Sequence, residues 1–260
     1  MTRRQVSRLA AAWSPDGGPD GGRPWRPSAA RRGEAHLRCS AMTEPSFLCA
    51  TRAAYDSIAA DYAERFRGEL AGKPLDRALF SAFAELVRAA GPVADIGCGP
   101  GHVTAHLHSL GLNAFGIDLS PEMVALARRS YPGLRFDQGS MTGLDLPDGA
   151  LGGIVAMYSI IHIPPERRPQ VFAEFHRAIA SGGHLILAFQ AGDERRHVTQ
   201  ALGHPVSVDA YLLPPDHVAD LLGRAGFVVC ARLLREPYEG IETDQRAYLL
   251  ARKPADGSQL

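Results

Sequence analysis

The chain has 260 residues, 45% of them hydrophobic, and its 28 basic side chains balance 28 acidic ones. That content suits an ordinary soluble domain with a real core and small appendages, and there is no run of about 18 apolar residues to span a membrane. The four cysteines, Cys39, Cys49, Cys98 and Cys230, form no C-x-x-C pair. Such spacing argues against a disulfide framework or a zinc site, so no metal is expected, and it fits a reducing cytoplasm.

The zero net charge conceals a split. Residues 1–41 carry eight Arg against Asp16, Asp20 and Glu34, a balance of +5, so the remainder stands at −5. An acidic body is poorly suited to nucleic acid, whose affinity is dominated by phosphate contacts. The stretch 13–32 is rich in Gly, Pro and Arg and has no hydrophobic period. Residues 1–41 are therefore expected to be a disordered basic extension, as they bury too little surface to offset their ordering entropy. Met42 opens a more ordinary sequence; it is either the natural start or the point where a functional basic tail ends.

Helical spacing dominates residues 53–90. Tyr55, Ile58, Ala59, Tyr62 and Phe66 share one helix face, and Leu79, Phe83, Leu86 and Val87 mark a second helix that Gly91-Pro92 stops. From Val93 short strands alternate with helices. Strands are predicted at 93–96, 113–117, 134–137, 154–157 and 184–189. The intervening helices are predicted at 102–110, from Ser120-Pro121-Glu122 onward, and along Val171, Phe172, Phe175 and Ile179 up to Ser181-Gly182-Gly183. Ser is a good N-cap, Pro suits the first helical position, and Glu favours the positive helix end. Strands alternating with helices imply a parallel sheet covered on both faces. After a helix at 216–225, strands at 227–234 and 246–252 have no helix between them, so they are expected to pair antiparallel.

The segment Asp95-Ile96-Gly97-Cys98-Gly99-Pro100-Gly101 follows a strand and precedes a helix. Glycines there let the backbone turn sharply and approach a ligand, and the helix start beyond offers a positive dipole. Asp118 ends the next strand, where a carboxylate can accept both hydroxyl hydrogens of a ribose. The dinucleotide fingerprint G-x-G-x-x-G fails, since His102 stands where its third glycine belongs.

This D-x-G-x-G-x-G loop resembles the first motif of the class I S-adenosylmethionine-dependent methyltransferases. Gly116-Ile117-Asp118-Leu119-Ser120-Pro121-Glu122-Met123, Gly139-Ser140-Met141, Gly182-Gly183 and Ala225-Gly226-Phe227 extend the resemblance across most of 52–252. It implies a Rossmann-like, doubly wound, mostly parallel seven-stranded sheet with an antiparallel C-terminal strand, preceded by N-terminal cap helices. One domain over 42–254 is then expected. Its cap helices would be 52–90, its cofactor-binding core 91–189, and 190–254 would hold the acceptor-side segment and the last strands, with a disordered tail at 255–260.

The resemblance implies S-adenosylmethionine as cofactor and roles for particular residues. Gly97, Cys98 and Gly99 would approach the methionine half through backbone, with Gly101 also in the cofactor-binding set, and Asp95 would organise the loop and face the amino group. Asp118 would hold the ribose, and Leu119 and Met123 would pack on adenine, with Ser140 and Met141 at its edge. Met157 and Tyr158 would flank the sulfonium, and Tyr62 would close over the cofactor. Met123 and Tyr62 are equally readable as core. His162, at the end of the fourth strand, is the one candidate for catalysis, as a base toward a substrate hydroxyl or amine; packing beside Pro164-Pro165 is the other reading. The acceptor pocket is expected from the first helices, the segment after the fourth strand and residues 190–215. Gln190 and Tyr211 are candidate polar contacts there, with His197, His204 and His217 nearby, while Arg167-Arg168 and Arg195-Arg196 read as solvated. The acceptor is expected to be a small molecule, not nucleic acid or membrane; the oligomeric state is not legible. A binder of S-adenosylmethionine without catalysis and a nicotinamide-dependent oxidoreductase stand as the alternatives.

Overall fold

The computed structural model describes residues 44–239 and 242–255. The expected extension 1–41, Met42 and the tail from 256 lie outside those residues.

Two helices precede the sheet. α1 (Ser46–Phe66) buries Leu48, Ala54, Ile58 and Ala59. A 3-10 turn at Glu69–Gly72 leads to α2 (Pro74–Val87), which buries Phe80, Phe83, Ala84 and Val87. α1 starts seven residues before the predicted 53, because Leu48 and Thr51 carry its inner face backward at helical spacing.

Next come β1 (Val93–Ile96), α3 (His102–Ser109), β2 (Ala114–Asp118), α4 (Pro121–Ser130), β3 (Phe136–Gln138), β4 (Leu151–Met157), α5 (Arg168–Ala178) and β5 (Ile179–Gln190). A hairpin of β6 (Glu194–Ala201) and β7 (His204–Leu212) precedes α6 (Pro215–Arg224), β8 (Val228–Arg235) and β9 (Arg246–Arg252). The seven-stranded sheet runs β3-β2-β1-β4-β5-β9-β8. β1 to β5 are parallel, and β9 lies antiparallel to both β5 and β8. The link from β8 to β9 is too short for a crossover helix, which forces the antiparallel pairing.

Alternation along the strands divides the core. Ala94, Ile96, Ile154 and Ala156 face a cluster containing Phe172 and Phe175 of α5, whereas Val93 and Val155 face Phe80 and Phe83 of α2. Each such aromatic contributes roughly 1.5–3 kcal/mol on burial, more than a helix cap at about 1 kcal/mol. Caps nevertheless fix where helices start: Ser120 accepts a hydrogen bond from the Met123 N–H at 3.1 Å, with Pro121 at the first helical position, as its sequence predicts.

Two differences from the sequence reading have clear causes. α5 ends at Ala178, and Ile179 already pairs with Leu151, so β5 absorbs the glycines that were expected to cap the helix. The β6–β7 hairpin was not anticipated at all. β6 buries only Ala201 and so lacks a period-2 apolar signal. Its two-residue turn, Leu202 (φ 50°) and Gly203 (φ 83°), has both residues left-handed, which matches the twist of the flanking strands. The hairpin packs on α1, and the His204 ring meets Asp61 of that helix at 2.7 Å.

Among the described residues, Cys98 and Cys230 are free thiols. Cys49 is disulfide-bonded, one bridge that the cysteine spacing did not foretell. No helix among them is long and apolar enough to cross a membrane.

Candidate functional site

β1 has β2 on one side and β4 on the other, so the chain reverses its direction of winding there. Open α/β sheets bind ligands at that switch point, beyond the carboxyl ends of the strands. Here those ends are Ile96-Gly97 and Met157-Tyr158-Ser159, knitted together by Ser159 Oγ donating to the Ile96 carbonyl at 2.8 Å.

The loop after β1 is held by its own backbone. Gly97 and Cys98 N–H groups donate to the Ile117 carbonyl at 2.7 and 3.2 Å. The Gly99 N–H donates to Asp118 Oδ2 at 2.7 Å, and the Ser120 N–H to Oδ1 at 2.9 Å. Asp118 thus ties the loop to the start of α4. Gly97, Gly99 and Gly101 all have left-handed φ, 76°, 52° and 87°. A Cβ on Gly97 would lie 2.3 Å from the Ser159 Cβ, so only glycine fits there.

Two chambers that share a wall open beside this loop. The first encloses about 750 Å³ up to its mouth, between Asp118, Leu119, Ser140 and Met141 on one side and Tyr55 and His162 on the other. The second, about 500 Å³, is bordered by Glu69, Lys73, Asp95 and His102. Tyr62, Gly97, Gly99, Met157 and Tyr158 line both.

Buried titratable groups surround them. Asp95 is 1% exposed and accepts a hydrogen bond from Thr104 Oγ1 at 2.7 Å. Burial pushes its carboxyl up from 3.8 to about 6, against the Thr104 bond. Burial also raises Asp118, opposed by the Ser120 and Gly99 N–H groups. His162 is 5% exposed, and burial lowers it below its ordinary value. Its Nδ1 lies 2.8 Å from the Asp209 carbonyl, which can only accept, so Nδ1 carries the proton. Nε2 is then an acceptor for the Tyr55 hydroxyl at 2.8 Å. Tyr158 holds a left-handed φ of 53°, rare outside glycine. Its N–H bonds the Ala188 carbonyl at 2.7 Å, and its hydroxyl meets that of Tyr248 at 3.1 Å, which donates in turn to Asp76.

A profile of the methyltransferase domain family matches residues 93–183, the span from β1 to β5 that builds this site. Over that span the chain resembles a methyltransferase domain. It is 29% identical over 136 residues to a malonyl-[acyl-carrier protein] O-methyltransferase of Pectobacterium atrosepticum, covering 47% of this chain and 53% of that one. It is 34% identical over 117 residues to a trans-aconitate 2-methyltransferase of Escherichia coli, 44% of each chain. The chain spans about half the length, or less, of three of the relatives it matches, and 58–66% of others. The fold is shared with the magnesium protoporphyrin IX methyltransferase of Synechocystis, solved with S-adenosylmethionine bound. The TM-score is 0.62 at 16% identity, over 81% of this chain and 98% of that one.

Most residues expected at the site do meet there. Tyr62, Gly97, Gly99, Asp118, Leu119, Ser140, Met141, Met157, Tyr158 and His162 line the first chamber, and Asp95 and Cys98 border the second. Two do not. Met123 is fully buried on the inner face of α4, and Gly101 faces Phe136, whose ring a Cβ would approach to 2.7 Å. Both serve packing.

The expected acceptor-side contacts also move. Gln190 and Tyr211 lie away from both chambers, and Tyr211 is covered by the Arg168 guanidinium 5.0 Å from its ring. His197 pairs with Asp209, and His217 stands exposed on α6. The hairpin touches the site through the Asp209 carbonyl, which accepts from His162 Nδ1. Arg168 is buried, donating to the Ile163 carbonyl, and Arg196 bridges Glu194 and Asp244; a long side chain with fixed partners need not be solvated. Arg167 and Arg195 are exposed.

Sequence reading missed Phe47, Thr51 and Arg52 on the first turns of α1, which wall the first chamber. Extending the helical period backward from Tyr55 through Leu48 would have found them. It also missed Lys73, only 7% exposed and paired with Glu69 at 2.6 Å, since a lone lysine between helices carries no pattern.

Asp95 makes stability depend on pH in a defined direction. Its folded-state value, about 6, exceeds its ordinary 3.8, so the carboxyl contributes fully below about pH 3.8 and loses that contribution as pH rises through 6. Asp95→Asn keeps an acceptor for Thr104 and removes the buried charge. The variant is expected to gain about 3 kcal/mol on the wild type between pH 4 and pH 6.5, in urea unfolding. A stability difference constant across that range would refute the assignment.

Proposed function

We propose that this chain transfers a methyl group from S-adenosylmethionine to a small-molecule acceptor. The observation that carries the reading is the glycine loop clamped by Asp118 at the β1/β4 switch point, opening on two chambers with a shared wall. When bound there, the cofactor supplies an electrophilic methyl group on sulfur, and the protein's part is chiefly to position the reactants and exclude water.

The residues present suit that ligand. Each Asp118 oxygen accepts one N–H and keeps a lone pair for a ribose hydroxyl. Leu119, Ser140 and Met141 form an edge for adenine. The loop N–H groups of Gly97, Cys98 and Gly99 are committed within the protein, so the loop would meet the amino group of the methionine half through carbonyl oxygens. Asp95, a buried carboxylate that accepts from Thr104, completes that end. Met157 and Tyr158 would flank the sulfur, with Tyr62 as the roof. Gly101 and Met123 are omitted from this set.

The first chamber continues past the shared wall to Phe47, Leu48 and Tyr55, which leaves room for an acceptor and favours transfer over silent binding. Its apolar lining and the acidic body suit a small molecule. The named relatives act, by their names, on different acceptors, and none is carried over.

Calorimetric titration with S-adenosylhomocysteine, with NADH in parallel, tests the cofactor. Binding of the former alone is expected. Binding of NADH alone, or of neither, would overturn the proposal.

A further inference from the structure

We infer that Tyr55 takes the proton of the methyl acceptor while handing its own to His162, and that the acceptor is a neutral hydroxyl compound of phenolic or enolic character on an apolar body. This rests on the methyltransferase reading of the same cleft.

Three observations carry it. His162 is buried, and both ring nitrogens are engaged: Nδ1 by the Asp209 carbonyl and Nε2 by the Tyr55 hydroxyl, each at 2.8 Å. A ring so placed has no nitrogen left for an acceptor, so its basicity is available only through Tyr55. Tyr55 lies on α1, lines the first chamber, and uses its hydroxyl hydrogen on His162. Its oxygen keeps lone pairs that can accept from a hydroxyl in the chamber. Third, the wall around Tyr55 is apolar, with Phe47, Leu48 and Ile163. Arg52, the cation on that wall, is committed to Glu44 and to the Leu119 carbonyl. An anionic acceptor therefore finds no uncommitted guanidinium or ammonium on the first chamber's wall among the described residues.

The proton balance is closed. The acceptor O–H gives its proton to Tyr55 Oη as the Tyr55 proton moves to His162 Nε2. The freed electron pair on the acceptor oxygen forms the bond to the methyl carbon, and the carbon–sulfur pair stays with sulfur. His162 becomes an imidazolium whose two N–H groups donate to Tyr55 and to Asp209, and it returns the proton through Tyr55 to solvent after product leaves. Burial lowers the His162 ring, so it starts neutral near pH 7. The titratable or charged residues facing it are Tyr55 from α1 and Asp209 from β7. Phenols and enols suit the relay because, among neutral hydroxyl compounds, they are acidic enough to yield a proton to a neutral imidazole as the methyl bond forms.

The test uses the full chain saturated with S-adenosylhomocysteine and 4-nitrophenol as probe. Phenolate absorbance reports the probe, and NMR of labelled histidine reports His162. In the wild type the bound probe is expected to ionise about one pH unit below its free value, a tenfold shift in equilibrium, with His162 gaining the proton. In Tyr55→Phe the probe should still bind, titrate as in free solution, and leave His162 neutral. His162→Asn should abolish the shift in the same way, so a misfolded first variant does not stall the test. Equal titration in all three proteins, or failure of the probe to bind, would overturn the relay. If S-adenosylhomocysteine itself does not bind, the methyltransferase reading fails instead.

Discussion

Asp118→Ala is expected to weaken S-adenosylhomocysteine binding by about 1.5–3 kcal/mol, roughly ten- to hundredfold, the range for hydrogen bonds to a charged group. The residue has two tasks, and the variant loses both. The ribose would lose its carboxylate, and the Gly99 and Ser120 N–H groups would lose the acceptors they now meet at 2.7 and 2.9 Å. Each deserted buried N–H costs a further 1–3 kcal/mol unless water replaces the acceptor. The loop should therefore loosen, and the unfolding midpoint should fall with the affinity. Asp118→Asn separates the tasks, because its amide offers one acceptor oxygen in place of two. It should recover part of the stability and little of the affinity. Calorimetry with unfolding curves on both variants decides, and wild-type affinity in Asp118→Ala would remove the ribose assignment.

Gly97 and Gly99 are expected to fail in opposite ways. Alanine at Gly97 puts its Cβ 2.3 Å from the Ser159 Cβ, at the seam between β1 and β4. Overpacking costs about 1–3 kcal/mol, and the left-handed backbone adds about 1–2 kcal/mol. Gly97→Ala should be markedly destabilised. At Gly99 the nearest neighbour of a Cβ is the Tyr62 ring at 3.9 Å, so there is room in the fold. Gly99→Val bears the left-handed cost but sets its methyl groups toward Tyr62, where the chambers meet. It should fold near wild-type stability less about 1–2 kcal/mol and lose detectable S-adenosylhomocysteine binding. Urea unfolding and calorimetry on the pair would show the pattern; a stable Gly97→Ala with a binding-competent Gly99→Val would refute the loop assignment.

Much of the fold was legible because its signals are local. Val93–Ile96 is a short apolar run before glycines, Ser120-Pro121-Glu122 carries its own cap, and the segment between β8 and β9 is too short for a crossover. The hairpin was illegible because β6 keeps polar side chains outward and shows no alternation. At the site, Gly97, Gly99 and Asp118 could be found from the sequence because backbone conformation and strand ends are written in nearby residues. Gly101 and Met123 could not be separated from them, since motif position does not say which way a side chain faces.

What the sequence determined by itself, then, is the order of strands and helices in the main sheet, the turn after β1 and the carboxylate at the end of β2. Each depends on propensity, glycine conformation or capping within a few residues. Tertiary structure alone decided that Met123 lies in the core, that Arg168 covers Tyr211, and that Tyr55 reaches His162 across 107 residues of chain. Those outcomes depend on how α1, the sheet and the hairpin pack against one another. Packing is settled by the summed burial of many side chains, which no local stretch of sequence contains.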